Sequence, residues 1–266
     1  MEVPLTESFP EVVEGEVYAT HQLGGADISL RCDLYLPNAP SPPLYVWFHG
    51  GAFVTGNFRQ RICRRMGRIL TKHGIAVASV EYRLKAALED LSKTVCAQYE
   101  ALQVRRRNHL RFLLSHHRAL AAMEDGLAFL AWADENADRF GWSRKRVLAG
   151  TSAGGITAFN MVFTAPWLGF DISKPAGVFS ASGGYGYPTL VSPELTGPIL
   201  ALHNPEDKRV PIKSVRRMKR VMGDHIQLIE SDTMIHSHVT PFPDERQFTT
   251  FKRIADFVHS VSDGNK

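Results

Sequence analysis

Short, β-rich apolar runs recur along this chain with helix-length amphipathic stretches between them. That alternation restricts the fold more than any other feature. Strand-like runs cover 15–21 (GEVYATH), 27–36 (DISLRCDLYL), 44–49 (LYVWFH), 76–82 (AVASVEY), 146–151 (RVLAGT), 177–182 (GVFSAS), 198–203 (PILALH) and 225–230 (HIQLIE). The first two alternate polar and apolar residues, as antiparallel strands with one wet face do. The later ones are more continuously apolar, as strands covered on both faces are. Helical patterns follow most of them, over 58–73, 121–138, 153–165, 211–222 and 244–261. This pattern predicts an α/β fold of about eight strands, mostly parallel, with helices on both faces. The 44% hydrophobic content suffices for the core of such a sheet. No internal repeat or low-complexity linker interrupts the chain, so residues 1–266 read as one domain.

Several functional classes are excluded early. No apolar run approaches the roughly 18 residues of a membrane helix. The acidic stretch MEVPLTESFPEVVEGEVYA lacks the basic and apolar regions of a secretion signal. The expectation is a cytoplasmic protein with no membrane partner. Cys32, Cys63 and Cys96 are odd in number and widely spaced, which fits neither a disulfide framework nor a zinc site. His116-His117 and His236-Ser237-His238 lack Cys, Asp or Glu at ligand spacing, so neither a metal nor a cofactor is expected. Arg105-Arg106-Arg107 has no interleaved aromatics and reads as a wet helix face, with no nucleic-acid partner.

The chemistry concentrates in RVLAGTSAGGITAF, residues 146–159. A strand runs into Gly150, Ser152 follows two residues later, and Gly154-Gly155 opens an apolar helical run. In a parallel sheet, reactive groups collect at the carboxyl edge, where strands end and helices begin. A Ser on a tight strand-to-helix turn there is forced into strained backbone geometry with its hydroxyl standing clear. Its neighbours must be small because other backbone crowds them, and Gly150 and Gly154 meet that need. The helix starting at Ala153 aims N–H groups and its positive dipole end at charge forming beside the Ser.

A Ser hydroxyl needs a base, and acyl chemistry needs donors for the oxyanion. The second requirement is met in form by VWFHGGAF, residues 46–53. Here another apolar strand runs into Gly50 and Gly51, whose backbone is free to aim N–H groups outward. The amide of Ala153 is placed to join them as an oxyanion hole.

HGGAF together with GTSAGG resembles the α/β-hydrolase esterases and lipases of the hormone-sensitive-lipase-like branch. SVEYRL (79–84) and AMEDGLAFLAWADENADRFGWSRKRVLAG (122–150) are similar to that family too. The likeness runs from about residue 27 to the C-terminus, apart from one insertion. The resemblance implies an α/β-hydrolase fold and a Ser-Asp-His chain order, with an acid after the next-to-last strand and a His after the last. In LALHNPEDKRVP (200–211) that acid is Asp207, with Glu206 as the alternative. In ESDTMIHSHVTP (230–241) the family's usual position favours His236, and His238 stands open beside it. The implied catalytic set is Ser152, Asp207 and His236, working through an acyl-enzyme. The implied activity is hydrolysis of short-chain, acetyl-type esters of small molecules. An arylformamidase-like amidase and a non-catalytic α/β-hydrolase binding protein stay open as alternatives.

The chain departs from the family after YRL, where relatives continue with Ala-Pro-Glu and a short loop. Here residues 85–120 are free of Gly and Pro and carry seven basic residues against three acids. They predict helices over 86–104 and 108–121, with apolar spacing at Leu110, Leu113, Leu114 and Leu120. Three uses are open to this insertion: a lid, a self-association surface for a homodimer, or a solvated decoration. Its charge raises anionic or sugar-acid substrates as a hypothesis. Conversely, GGYGYPTLVSPELTG (183–197) is too short for the cap domain many lipases insert there. The region before residue 27 is also too short for a helical cap. A shallow pocket follows, suited to short acyl groups, with Phe53 and Tyr185, and also Tyr187 and Trp167, expected to line it.

Overall fold

The computed structural model describes residues 10–106, 116–240 and 247–263. A hairpin comes first: β1 (Glu11–Leu23) turns through Gly24 and Gly25 into β2 (Ala26–Leu36). Both glycines have positive φ (59° and 80°), the conformation a two-residue hairpin turn requires. β3 (Leu44–Phe48), β4 (Ala76–Val80), β5 (Arg146–Thr151), β6 (Gly177–Ala181), β7 (Ile199–His203) and β8 (Ile226–Glu230) complete one sheet. Its strand order is β1-β2-β4-β3-β5-β6-β7-β8. The β1–β2 and β2–β4 pairs are antiparallel, and every pair from β4 to β8 is parallel. All eight expected strands are present. β1 extends beyond the expected 15–21 because two register shifts let it follow β2 as that strand twists.

The helices are α1 (Arg61–Thr71), α2 (Lys93–Arg105), α3 (His117–Glu135), α4 (Ala137–Phe140), α5 (Ala153–Phe159), α6 (Lys213–Met222) and α7 (Gln247–Ser262). Side chains alternate across each strand, so β3 divides its residues between two apolar layers. Leu44, Val46 and Phe48 face a layer closed by α2, α3, α5 and α6. Tyr45 and Trp47 face another, closed by α1 and α7. The central strands β3 to β7 are buried along their whole length, which is why they read as unbroken apolar runs. This is the mixed, mostly parallel sheet with helices on both faces that the α/β-hydrolase resemblance implied. Among the described residues, no helix is long and apolar enough to cross a membrane.

The expected helix over 153–165 changes character midway. α5 ends at Phe159, and Asn160–Thr164 continues as a π-helical turn in which Thr164 Oγ1 donates to Asn160 Oδ1 at 2.9 Å. The insertion is also resolved differently from its sequence reading. Leu88–Asp90 forms a separate 3-10 turn, and α2 starts only at Lys93, where Ser92 Oγ caps the Val95 N–H at 3.3 Å. Most of the expected 108–121 helix, with Leu110, Leu113 and Leu114, lies outside the described residues. Leu120 belongs instead to α3, which begins at His117, earlier than the expected 121, and it is fully buried.

Arg83, just beyond β4, fastens the root of the insertion. Its side chain is only 1% exposed, and its Nε donates to Asp125 Oδ1 at 2.8 Å. One terminal nitrogen donates to Glu124 Oε2 at 3.0 Å, and the other to the Asp90 carbonyl at 2.5 Å. Glu124 also accepts the Ser92 N–H at 3.0 Å. A buried Arg satisfied on several sides locks β4, the 3-10 turn and α3 into one arrangement.

Candidate active site

The parallel strands β3 to β8 share a direction, so their carboxyl ends open onto one edge of the sheet. Ser152 stands there, immediately after β5, with φ 50° and ψ −113°. That is a strained region for a residue with a Cβ. The strain is held by the Ser152 N–H donating to the Ala181 carbonyl at 2.9 Å and by Ile156 N–H donating to the Ser152 carbonyl at 3.0 Å. The flanking glycines answer to contact, as the sequence reading required. A Cβ on Gly154 would overlap the Phe48 carbonyl, and one on Gly150 would overlap the Gly154 backbone. The elbow therefore packs backbone on backbone against the end of β3.

Two loops bring partners to Ser152 from far along the chain. His236 Nε2 lies 3.0 Å from Ser152 Oγ, and His236 Nδ1 lies 2.6 Å from Asp207 Oδ2. A carboxylate can only accept, so Nδ1 carries the ring proton and Nε2 is left to accept from the Ser hydroxyl. The Asp207 side chain is 1% exposed and that of His236 is 15% exposed. Asp207 Oδ1 accepts the N–H groups of Arg209 (2.8 Å) and Val210 (3.1 Å). Burial by itself pushes this carboxyl up, but the hydrogen bonds from His236, Val210 and Arg209 outweigh it and hold it below the usual carboxylate range. Of the pairs left open by sequence, Glu206 and His238 are both exposed, while Asp207 and His236 make the contacts just described.

The loop after β3 runs alongside the elbow. A Cβ on Gly50 would lie 3.6 Å from Ser152 Cβ, so this backbone passes directly beside the Ser. Gly51 (φ 137°), Ala52 (54°) and Phe53 (61°) all have positive φ, which folds the loop back on itself. Val54 and Thr55 N–H both donate to the Gly51 carbonyl at 3.0 Å, and a Cβ on Gly51 would overlap the Thr55 carbonyl. Ala153 opens α5, so its N–H has no acceptor within the helix. His49 is 2% exposed, and burial pushes its ring down to about 4 despite a contact with the Gly50 carbonyl. It is a neutral, packed ring beneath this loop.

The aromatics expected to line a pocket are deeper than anticipated. Phe53 has no accessible surface and Tyr185 is 2% exposed, with its hydroxyl 2.8 Å from Thr164 Oγ1. Both are buried among the core residues on the layer that Phe48 faces. Tyr187 is buried as well, and Gln103 Nε2 of α2 donates to its hydroxyl at 3.4 Å. Trp167 is half-buried beneath the Arg105 guanidinium, 5.1 Å from its ring centre. Gln98 Nε2, also on α2, donates to the Leu168 carbonyl at 3.0 Å. Among the described residues, no group of three or more His, Cys, Asp or Glu side chains could hold a metal.

Two residues that the sequence reading passed over touch the His236 turn. Ser182, at the end of β6 with φ 54°, accepts the Ser237 N–H on its Oγ at 3.1 Å. Asn204, which follows β7, donates from Nδ2 to the carbonyls of Asp232 (3.0 Å) and Met234 (2.8 Å). The only local signal was position: each directly follows a strand at the carboxyl edge.

No protein-family model matches the chain, and no curated relative matches it. Solved structures do. A truncated carbohydrate esterase from gut microbiota superposes with a TM-score of 0.65 at 16% identity, over 98% of this chain and 99% of that one. A thermophilic esterase from the planctomycete Thermogutta terrifontis gives 0.64 at 18% identity, over 97% and 94%. Brefeldin A esterase, a bacterial homologue of human hormone-sensitive lipase, gives 0.65 at 18% identity, over 100% of this chain and 81% of that one. At such identities the likeness establishes the fold, which is that of the α/β-hydrolases.

Proposed function

We propose that this protein is a serine carboxylic-ester hydrolase for short-chain acyl esters of small molecules. The observation that carries the reading is the unbroken contact from Ser152 Oγ through His236 to the doubly anchored Asp207 carboxylate. In this reading Ser152 Oγ attacks the ester carbonyl carbon while its proton passes to His236 Nε2. The N–H groups of Gly50, Gly51 and Ala153 stabilise the oxyanion, and Asp207 stabilises the imidazolium. His236 then returns the proton to the leaving alkoxide, which departs as the alcohol. Water, deprotonated by the same ring, splits the acyl-enzyme and frees the acid and Ser152.

The short-chain preference rests on the connection from β6 to β7, which holds only two single 3-10 turns, Pro188–Leu190 and Pro193–Leu195, and so no cap. Phe53 and Tyr185 then act as packing behind the pocket and not as groups touching the acyl chain. We read α2, the described helix of the insertion, as a fixed side wall of one catalytic domain, because Gln98, Gln103 and Arg105 fasten it to the 165–170 and 185–190 segments. The esterases among the solved neighbours, one of them a carbohydrate esterase, are consistent with an acylated carbohydrate as substrate.

The test is hydrolysis of a chain-length series of aryl esters, with matched amides as the alternative bond. We expect acetyl and propionyl esters to lead, and Ser152→Ala to lower kcat/KM by about 10⁴-fold or more. Faster cleavage of the matched amides, or a Ser152→Ala variant as active as the parent, would overturn the proposal.

A further inference from the structure

The His236 turn has little regular structure of its own. Between Ser231 and His238 its backbone makes two internal hydrogen bonds, Met234 N–H to the Ser231 carbonyl (3.3 Å) and His238 N–H to the Ile235 carbonyl (3.0 Å). A ring whose two nitrogens must meet Oγ and Oδ2 together therefore needs support from outside the turn. Asn204 supplies it from the neighbouring strand end. Its Nδ2 carries two protons and donates to the carbonyls of Asp232 and Met234. The same side chain accepts the Glu206 N–H on Oδ1 at 2.7 Å, and the Asn204 carbonyl accepts the Asp207 N–H at 3.1 Å. One residue thus shapes the turn that presents Asp207 while its amide grips the turn that presents His236. Met234, beside the grip, is buried among the apolar residues under α7, so the clamp closes against a fixed wall.

We infer that Asn204 is a positioning residue, an amide clamp that holds the His236 turn in register with Asp207 and so sets the Ser152–His236–Asp207 alignment. The inference rests on the proposed esterase reading for its kinetic consequence. Its geometric consequence, the order of the His236–Asp207 hydrogen bond, does not depend on turnover.

Asn204→Asp is the sharpest variant. It keeps the shape and an oxygen for the Glu206 N–H, but replaces the two donors with an acceptor that repels both carbonyls. Asn204→Ala removes the amide altogether. For both variants we would measure the thermal melt, kcat and KM on acetyl aryl ester, the rate at which a fluorophosphonate labels Ser152, and the far-downfield proton signal of the His236 Nδ1–H. The expected result is kcat lower by about 10²-fold in a folded protein, with KM within about threefold. Slower labelling and a lost or broadened Nδ1–H signal accompany it. A merely structural residue would lower the melting temperature and leave kcat per folded molecule unchanged, and that result overturns the inference. If the parent protein shows neither ester turnover nor labelling, the esterase reading fails separately. The Nδ1–H signal then still decides: its loss in Asn204→Asp supports the clamp, and its retention overturns it. Failure of both variants to fold would also overturn it, by making Asn204 a residue of the fold.

Discussion

Tyr82 lies nearly parallel to the His49 ring, 4.3 Å between centroids, and its hydroxyl donates to the His49 carbonyl at 2.8 Å. Phe53 meets the Tyr82 ring edge-on at 6.1 Å, and Lys85 N–H donates to the Phe53 carbonyl at 2.8 Å. The end of β4 therefore grips both ends of the positive-φ loop that carries Gly50 and Gly51. A loop in that conformation persists only when its surroundings over-determine it.

Removing the hydroxyl alone tests that grip. Tyr82→Phe keeps the stacked ring but leaves a carbonyl of the buried His49 without its donor. We expect a loss of about 1–3 kcal/mol in denaturant unfolding. On the proposed esterase reading a lower kcat on acetyl esters should accompany it, because the Gly50 and Gly51 N–H groups then wander. Unchanged stability and turnover in Tyr82→Phe would show that the loop holds itself.

Gly154 and Gly155 are adjacent but differ in what surrounds them. A Cβ at Gly154 runs into the Phe48 main chain, which cannot move without tearing β3 from β5. At Gly155 the nearest atom is Ser180 Oγ at 2.5 Å, a hydroxyl that can rotate away. Gly154→Ala should therefore yield little folded protein or lose about 3 kcal/mol or more, well beyond Gly155→Ala. Melting curves of the two, compared side by side, check the order.

Arg83 sits among buried acids, so its removal leaves Asp125 and Glu124 without their hydrogen-bonded partner. Arg83→Met should cost about 3–5 kcal/mol, since Asp125 and Glu124 lose their cation at 0% and 7% side-chain exposure. Arg83→Lys should recover little of this, because one ammonium cannot reproduce a fork reaching Asp125, Glu124 and the Asp90 carbonyl. Urea unfolding of both variants is the measurement, and a near-parental Arg83→Lys would refute the fork argument.

Acid should weaken the fold through His49. Its ring is depressed to about 4 by burial, whereas the unfolded chain takes up the proton near the usual histidine value of about 6.5. Its contribution is therefore intact above about pH 6.5 and is lost as pH falls to about 4, at about 1.4 kcal/mol per pH unit. Burial lowers His21 and His116 to about 4 as well, with the same sign. Asp125 opposes them: burial raises it to about 7 against the pull of Arg83, so it favours folding as pH falls. Comparing His49→Gln with the parent isolates the ring. The difference in unfolding free energy between pH 7 and pH 5 should shrink in the variant, and equal slopes would reject the assignment.

What could be read from residues alone was everything decided within one element or one turn. Strand periodicity located all eight strands, and small residues on both flanks of Ser152 located the elbow, because pleat and crowding act over a few neighbours. The ends of helices were less legible. The Ser92 cap delayed α2, and the 108–121 prediction falls mostly on residues outside the description. That His236 and Asp207, and not His238 and Glu206, come together beside Ser152 belongs to the tertiary structure, since His236 reaches Ser152 across 84 residues and Asp207 across 29. So does the burial of Phe53 and Tyr185, and so does the reach of Asn204 across 28 and 30 residues to the turn it clamps. Each is a contact between loop tips that no local pattern encodes. They become neighbours only when parallel strands, paired in one order, deliver their carboxyl ends to the same edge of the sheet.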